Sequence, residues 1–413
     1  MNDRSATATI KGYCYQFDKT IVELLRANET DTVTVEHIED VNLTGDQEIV
    51  ATQCKYVPAS NLTDSVIREP VSRMLDDFIE RAGGALPIRY RLYAHFGGSP
   101  VVPAERTVAW VKNVLTYNRQ GKRVRHHEER GISDGTLQDF LDHFTIELGP
   151  DFDEQQKSAL RLLAARFRCT GMEGDHLYYN NALRIVAHLS IQPDPLARTI
   201  CKQDFCNKIN TKTPLFNLWY RQLRGSSEYA RFIRGRIKND LLLHPQKDIA
   251  VFLDAAYIGD SSGHGAASLI HNLALQYYPL GTVFHNVKPL TVLIDATAST
   301  VIAIKKHLLH ERVHFNDGYE HLAFSAFHFS QPPLIRRKVV GRRATDSVDM
   351  SSYQIRLLSV NTFLAGASSV FEPNVVLFFS DQDPSHYFPL PGPVILPITC
   401  ACLEDIAAVL YKK

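Results

Sequence analysis

The chain has 413 residues, of which 45% are hydrophobic and 22% charged. That is ordinary globular composition, which excludes a disordered or fibrous chain. At about 150 residues per domain it accommodates two or three domains, each with its own core. Forty-five Lys and Arg balance 45 Asp and Glu, so any nucleic-acid binding must come from a local basic face rather than a global field. No apolar run approaches the ~20 residues of a membrane span. The opening Met1–Ser5 has no apolar segment of a secretory signal. The expectation is a cytoplasmic protein with no membrane partner. Seven Cys without a CxxC pair predict reduced thiols rather than a zinc site.

Residues 14–26 place apolar side chains at helical spacing. Residues 32–40 alternate and are rich in β-branched residues, so they predict a strand. The run Asn42-Leu43-Thr44-Gly45-Asp46 reads as a turn, with a second strand over 48–56 completing a hairpin. A helix follows over 63–82, with Pro70 a candidate kink and Gly83-Gly84 closing it, then a strand over 88–96. From Arg106 to about Asp240 the texture is helical, with segments 103–117, 135–147, 153–168, 195–208 and 214–237 at helical period. Beyond Asp248, apolar runs at 249–253, 290–294, 321–329, 355–360 and 375–379 alternate with helix-compatible stretches. That alternation predicts an α/β layered domain. The seam is placed near 242–246.

Alternate residues of a strand share a face, so Gln53 and Lys55 project together and Cys54 turns the other way. The hairpin brings Asp40 beside them. An acid, an amide oxygen and a lysine on one sheet edge suit phosphodiester hydrolysis assisted by a hard cation.

Gly12-Tyr13-Cys14-Tyr15-Gln16, Glu36-His37-Ile38-Glu39-Asp40-Val41 and Gln53-Cys54-Lys55 together resemble the double-stranded-DNA nuclease domain of bacterial antiphage effectors. These are CBASS- and Lamassu-type proteins of the PD-(D/E)XK, restriction-endonuclease-like superfamily, here in a Gln-x-Lys variant. The resemblance covers about residues 10–96 and extends to about 210. It implies an N-terminal αβββαβ core with a helical extension, ahead of the C-terminal α/β layered domain. It also implies that Asp40 and Gln53 hold Mg²⁺, with Mn²⁺ a substitute, and that Lys55 is the catalytic lysine. Glu36 and Glu39 are alternatives for an accessory metal ligand. Gln16 matches a supporting position, and Glu23, two turns on, is a weaker accessory candidate.

Arg221, Arg224, Arg231 and Arg234 recur at helical spacing among aromatic residues and could form a phosphate-neutralising stripe; a solvated helix face is the competing reading. Lys122, Arg123 and Arg125 follow Gly121 in an expected loop and are second candidates for DNA contact. Arg336-Arg337-Lys338 and Arg342-Arg343 read as a surface turn. The Gly259–Gly265 loop lacks a Walker lysine. Asp254, Asp295 and Asp381 end apolar runs, where helix capping is favoured over ligand binding.

The expected organisation is a nuclease domain over 1–210, a basic helical connector over 211–245 and a regulatory or oligomerisation domain over 246–413. The expected function is a metal-dependent endonuclease on double-stranded DNA in an antiphage system. Its switch is a signal nucleotide, self-assembly or a partner ATPase of SMC-like or translocase type. The alternatives are a non-catalytic subunit that binds DNA or an ATPase, or a C-terminal small-molecule enzyme.

Overall fold

The computed structural model describes residues 6–81, 86–98, 102, 106–120, 122–237, 247–259, 262–277, 288–349, 351–369, 371–388 and 392–411. The chain is mixed α/β and divides into two compact units, Met1–Thr211 and Lys212–Lys413.

The first unit opens with α1 (Thr7–Arg26), β1 (Thr32–Val35), β2 (Val41–Thr44), β3 (Ile49–Val57), α2 (Asp64–Glu80) and β4 (Ile88–Phe96), an αβββαβ order. There follow α3 (Val108–Val114), the hairpin β5 (Thr116–Arg119) and β6 (Lys122–Arg125), α4 (His126–Glu129), α5 (Asp134–Asp142) and β7 (Phe144–Leu148). The extension comprises α6 (Phe152–Phe167), α7 (Gly171–Glu173), a π-helical turn over Gly174–Tyr179, α8 (Asn180–Ser190), β8 (Thr199–Cys201) and α9 (Lys202–Ile209).

These strands form one sheet in the order β7-β4-β3-β2-β1-β8. The β3–β4 and β4–β7 pairs are parallel, and the other pairs are antiparallel. One face carries α1, whose Ile21 and Leu24 pack with Val33, Val35, Val41 and the extension helices. The other carries α2, α3 and α5 on Ala51, Leu92 and Ala94. Residue parity along β3 follows from this. Ala51, Gln53 and Lys55 look toward the α2 layer, and Cys54 packs in the α1 layer. At the end of β4, a Cβ on Gly97 would lie 2.1 Å from the Pro58 carbonyl oxygen, so only glycine lets the chain pass there.

Several expectations change. The first strand stops at Val35, because Glu36 takes a left-handed φ of 54°. The expected turn 42–46 contains β2, which pairs on both sides. The helix expected over 135–147 ends at Asp142 and gives way to β7. The helix expected over 195–208 resolves into a 3₁₀ turn, β8 and α9. Gly83-Gly84 lies outside the described residues.

The second unit comprises α10 (Lys212–Arg224), α11 (Ser226–Ile237), β9 (Ile249–Asp254), α12 (Ala255–Ile258), α13 (His264–Tyr277), β10 (Thr291–Asp295), α14 (Ala298–His310), β11 (Phe315–Asn316) and α15 (Ala326–Ser330). It continues through β12 (Ile335–Val340), β13 (Arg343–Val348), β14 (Ile355–Ser359), α16 (Val360–Leu364), β15 (Val375–Phe379), β16 (Val394–Pro397) and α17 (Leu403–Leu410). Six strands form a parallel sheet ordered β11-β14-β10-β9-β15-β16. Every residue of β9 and β15 is buried, as a parallel sheet covered on both faces requires.

Within the segment 211–245, expected as a basic helical connector, the described residues form α10 and α11. Tyr229, Ala230, Ile233 and Ile237 of α11 belong to the second unit's core with Val251 and Leu377. The seam expected at 242–246 lies outside the described residues. The strand expected over 321–329 is instead a turn leading into α15.

Candidate active site

The turn joining β1 to β2 is closed from within. The Glu36 N–H donates to the Asp40 carbonyl at 3.0 Å, and His37 N–H donates to the Glu39 carbonyl at 3.2 Å. The Asn42 amide locks the same turn, accepting from Glu39 N–H at 3.3 Å and donating to the Glu39 carbonyl at 3.0 Å. The Arg198 guanidinium, carried just ahead of β8, donates to the Glu36 carbonyl and holds its left-handed backbone from outside.

Register then decides what Asp40 meets. Val41 pairs with Thr52, so the preceding Asp40 falls opposite Gln53. Asp40 Oδ2 accepts the Cys54 backbone N–H at 2.8 Å and an N–H of the Gln53 amide. Lys55, on the Gln53 face of β3, draws Asp40 toward its charged form. Burial and the neighbouring Glu36 nevertheless push the Asp40 carboxyl up to about 7, against these hydrogen bonds and Lys55. Glu39 beside it is buried. Burial, then the adjacent Asp40, lift it to about 8, with Arg73 pulling the other way. Buried Gln16 of α1 donates to Glu36 Oε1 at 2.5 Å.

Asp40, Glu36 and Glu39 of one turn and Gln53 and Lys55 of β3 are therefore gathered together, with Gln16 of α1 joined to them through Glu36. Glu36, Glu39 and Asp40 do not bring three carboxylate oxygens within 4.8 Å of one another. The donors nearest Asp40 are amides. Glu23 is not part of this group. It is held by Lys19 at 2.7 Å and Arg91 at 3.3 Å, in the α1 layer rather than on the Gln53 face.

The expected arginine stripe does not form. Gly225, at φ 81°, separates α10 from α11. Arg221 pairs with Asp405 at 3.0 Å, and Arg234 donates to the Tyr411 carbonyl at 2.7 Å, so both serve their own unit's fold. Arg224 and Arg231 face outward, Arg231 with Glu228 at 3.7 Å. Lys122, Arg123 and Arg125 lie on β6, a hairpin strand rather than a loop, with Arg125 paired to Glu128 at 2.8 Å. Gly121 lies outside the described residues.

Asp254 caps α12 through Ala256 N–H at 2.9 Å and also accepts the Ser380 hydroxyl. Asp295 accepts from Tyr387 at 2.9 Å, and Thr297 rather than Asp295 caps α14. Asp260 and Ser261 of the glycine loop lie outside the described residues. Among the described residues, the carboxylate and imidazole group close enough to hold a cation is Asp317, Glu320 and His321. There the Lys305 ammonium already sits 2.7 Å from Asp317 and 2.5 Å from Glu320. Sequence reasoning missed Arg198 and Asn42, whose roles depend on a pairing and a turn with no local signature. No helix among the described residues is long and apolar enough to cross a membrane.

No family model and no curated protein matches the chain. Among solved structures it is similar to a Cap4 SAVED/CARF-domain containing receptor of Moraxella osloensis, at 12% identity and a TM-score of 0.31, over 97% of this chain and 92% of that one. It is also similar to the Acinetobacter baumannii Cap4 SAVED/CARF-domain containing receptor with the cyclic trinucleotide 2′3′3′-cAAA, at 9% identity and a TM-score of 0.32, over 97% and 92% of the two chains.

Proposed function

We propose that this chain is a metal-dependent endonuclease on double-stranded DNA, acting in the cytoplasm as an antiphage effector. On this reading the first unit cuts, and the second takes a signal nucleotide or partner that licenses cutting. The observation that carries the reading is the register placing the half-buried Asp40 opposite Gln53, with Lys55 on the same strand face.

The donor set suits Mg²⁺. It is built of oxygen, from the Asp40 carboxylate, the Gln53 amide and the nearby Glu36, and desolvation, then Glu36, hold the Asp40 carboxyl up near 7. When bound there, a hard cation supplies Lewis acidity toward the scissile phosphate. The chain's own groups do the rest. The Cys54 N–H and the Asn42-locked turn fix the Asp40 carboxylate before substrate arrives. Lys55 presents an ammonium where negative charge develops on phosphate oxygen, a preorganised donor that need not reorient during reaction. Gln16 steadies Glu36, and with it the turn that carries Asp40.

Control in the second unit is supported by its topology. The order of strands switches between β9 and β15, where parallel sheets take ligands at the carboxyl ends of strands. There Ser380 meets Asp254.

Nicking of supercoiled plasmid with Mg²⁺ tests the nuclease. Asp40→Ala is expected to abolish it, and Lys55→Ala to slow it about 10²-fold, the cost of one preorganised donor. Circular dichroism confirms folding. A folded Lys55→Ala that cuts at the parent's rate ends the assignment.

A further inference from the structure

Between β11 and β12 the second unit carries a segment, 317–334, that is pinned from within and apolar on its outside. It leads to the β12–β13 hairpin, which replaces the surface turn expected over 336–343. Its two acids turn inward, where Asp317 and Glu320 hold the buried Lys305 ammonium. Ser325 N–H donates to the Gly318 carbonyl at 2.7 Å, the Asn316 amide to the His328 carbonyl at 2.9 Å, and the Tyr353 hydroxyl to the Gln331 carbonyl at 2.6 Å. Phe324 and Phe329 form an inner layer, 5.7 Å apart, with Phe329 in the core beside Leu293 and Leu358. A Cβ on Gly318 would lie 2.8 Å from the Phe324 ring, so glycine makes this left-handed turn. Tyr319 follows at φ 62°, a costly backbone for a bulky residue and one that collects at functional sites.

The outer layer is left in water. Leu322 is 88% exposed, Phe327 69% and Tyr319 54%. They are neighbours: the His328 ring lies 4.8 Å from Tyr319 and 5.6 Å from Phe327, and Leu322 N–H closes a turn on the Tyr319 carbonyl at 2.9 Å. At on the order of 200 Å² for each large side chain, the three expose roughly 400 Å². Apolar patches of that size are often functional. This one is about half of the ~800 Å² that each partner gives to a standard interface. From His321 to Leu334 there is no Asp, Glu, Lys or Arg. Aromatic enrichment with depletion of charge is the composition of an interface core.

We propose that this segment is a homodimer interface, on which a second copy of the chain seats its own Tyr319, Leu322 and Phe327 about a two-fold axis. The lack of charge selects the occupant. Nucleic acid and anionic membrane surfaces are gripped by cations, and residues 321–334 offer none. An acidic or basic protein face finds no opposite charge in the segment. A copy of the same segment sets apolar side chains against apolar ones and brings no like charges of the segment together. The pairing does not rest on the nuclease reading, and it needs no signal nucleotide.

The test is sedimentation velocity of the full chain in nucleotide-free buffer. At about 20 µM the parent is expected to be a dimer. The dimer is expected to persist in about 0.5 M NaCl, because apolar contact is not screened by salt. Leu322→Asp with Phe327→Asp sets acids against acids and is expected to raise the dissociation constant about 10²-fold or more. Leu322→Ala with Phe327→Ala is expected to weaken pairing in the same direction, by about 10-fold. Both side chains are exposed, and circular dichroism confirms folding. A parent chain that stays monomeric overturns the proposal, as does a monomer that floats with phosphatidylglycerol vesicles through Leu322 and Phe327. A dimer untouched by the aspartate pair forms through another face and overturns it as well. Plasmid nicking is not read, so the nuclease assignment is scored separately.

Discussion

In the first unit Asp18 meets only the Tyr179 hydroxyl, at 2.7 Å, and Asp40 meets amides; burial lifts their carboxyls to about 6 and about 7. In the second unit Asp317 and Glu320 share the buried Lys305 ammonium, and Asp405 takes Arg221. There burial works upward on Glu320, yet Lys305, Ser359 and Thr362 hold it below the ordinary carboxylate range. Asp317, Glu320 and Asp405 each have a cation in contact, whereas Asp18 and Asp40 have none among the described residues. A fold that keeps carboxylates desolvated and uncompensated has left room for something besides itself, which is why such groups point to function. Glu23 sharpens the contrast from inside the first unit. It is compensated by Lys19 and Arg91, and it stands outside the candidate site.

Three measurements can break or refine this contrast. The largest effect is expected in the second unit. Lys305→Met leaves Asp317 and Glu320 facing each other without a cation and should cost about 3–5 kcal/mol on chemical denaturation. A neutral substitution there would mean that the acids are not held by charge, and the comparison would collapse.

Next comes Asp18, whose folded value of about 6 lies above its ordinary 3.8. The native chain therefore holds the extra proton between about pH 4 and pH 6. This contribution to stability is whole below pH 4 and is lost as pH rises through 6. Its size is on the order of 3 kcal/mol. Asp18→Asn should flatten that slope in urea titrations; a slope that survives the substitution assigns it to other groups.

The smallest effect is expected at Cys54, half-buried in the α1 layer with its thiol pushed up by desolvation. Cys54→Ser puts a hydroxyl against the apolar cluster that α1 forms with β1 and β2 and should cost about 1–2 kcal/mol. Nicking at saturating Mg²⁺ should stay at the parent's rate, because the side chain lies on the face away from Gln53 and Lys55. A loss of cutting by the folded variant would show that the two faces are not independent.

Much of this was legible in sequence, and the failures have physical causes. Helix α2 and strand β4 appear within two residues of where periodicity placed them, because each buries one regular face. Asp40, Gln53 and Lys55 do meet where the β1–β2 turn passes β3, yet the strand expected to lead into Asp40 ends at Val35. Val33 and Val35 set a β pattern that the left-handed Glu36 breaks, and a non-glycine residue in that conformation gives no local warning. Asn42-Leu43-Thr44 has turn composition but becomes β2, because pairing with β1 and β3 outweighs local preference. The arginines of α10 and α11 were spaced for a stripe, and spacing alone did not show that Arg221 and Arg234 would be spent on α17 and the Tyr411 carbonyl.

The clasp on Glu36 sets an order of events during synthesis. Arg198 and β8 lie far along the chain from the αβββαβ core, and β8 closes the sheet edge by pairing with β1. While the ribosome is still making the extension, Asp40, Gln53 and Lys55 have already emerged, but the turn that orients Asp40 has only its internal hydrogen bonds. The clasp on the Glu36 turn is completed when residues 198–201 dock. Under the proposed function, a half-made chain would carry the cutting residues without their finished frame, a delay that would spare the host.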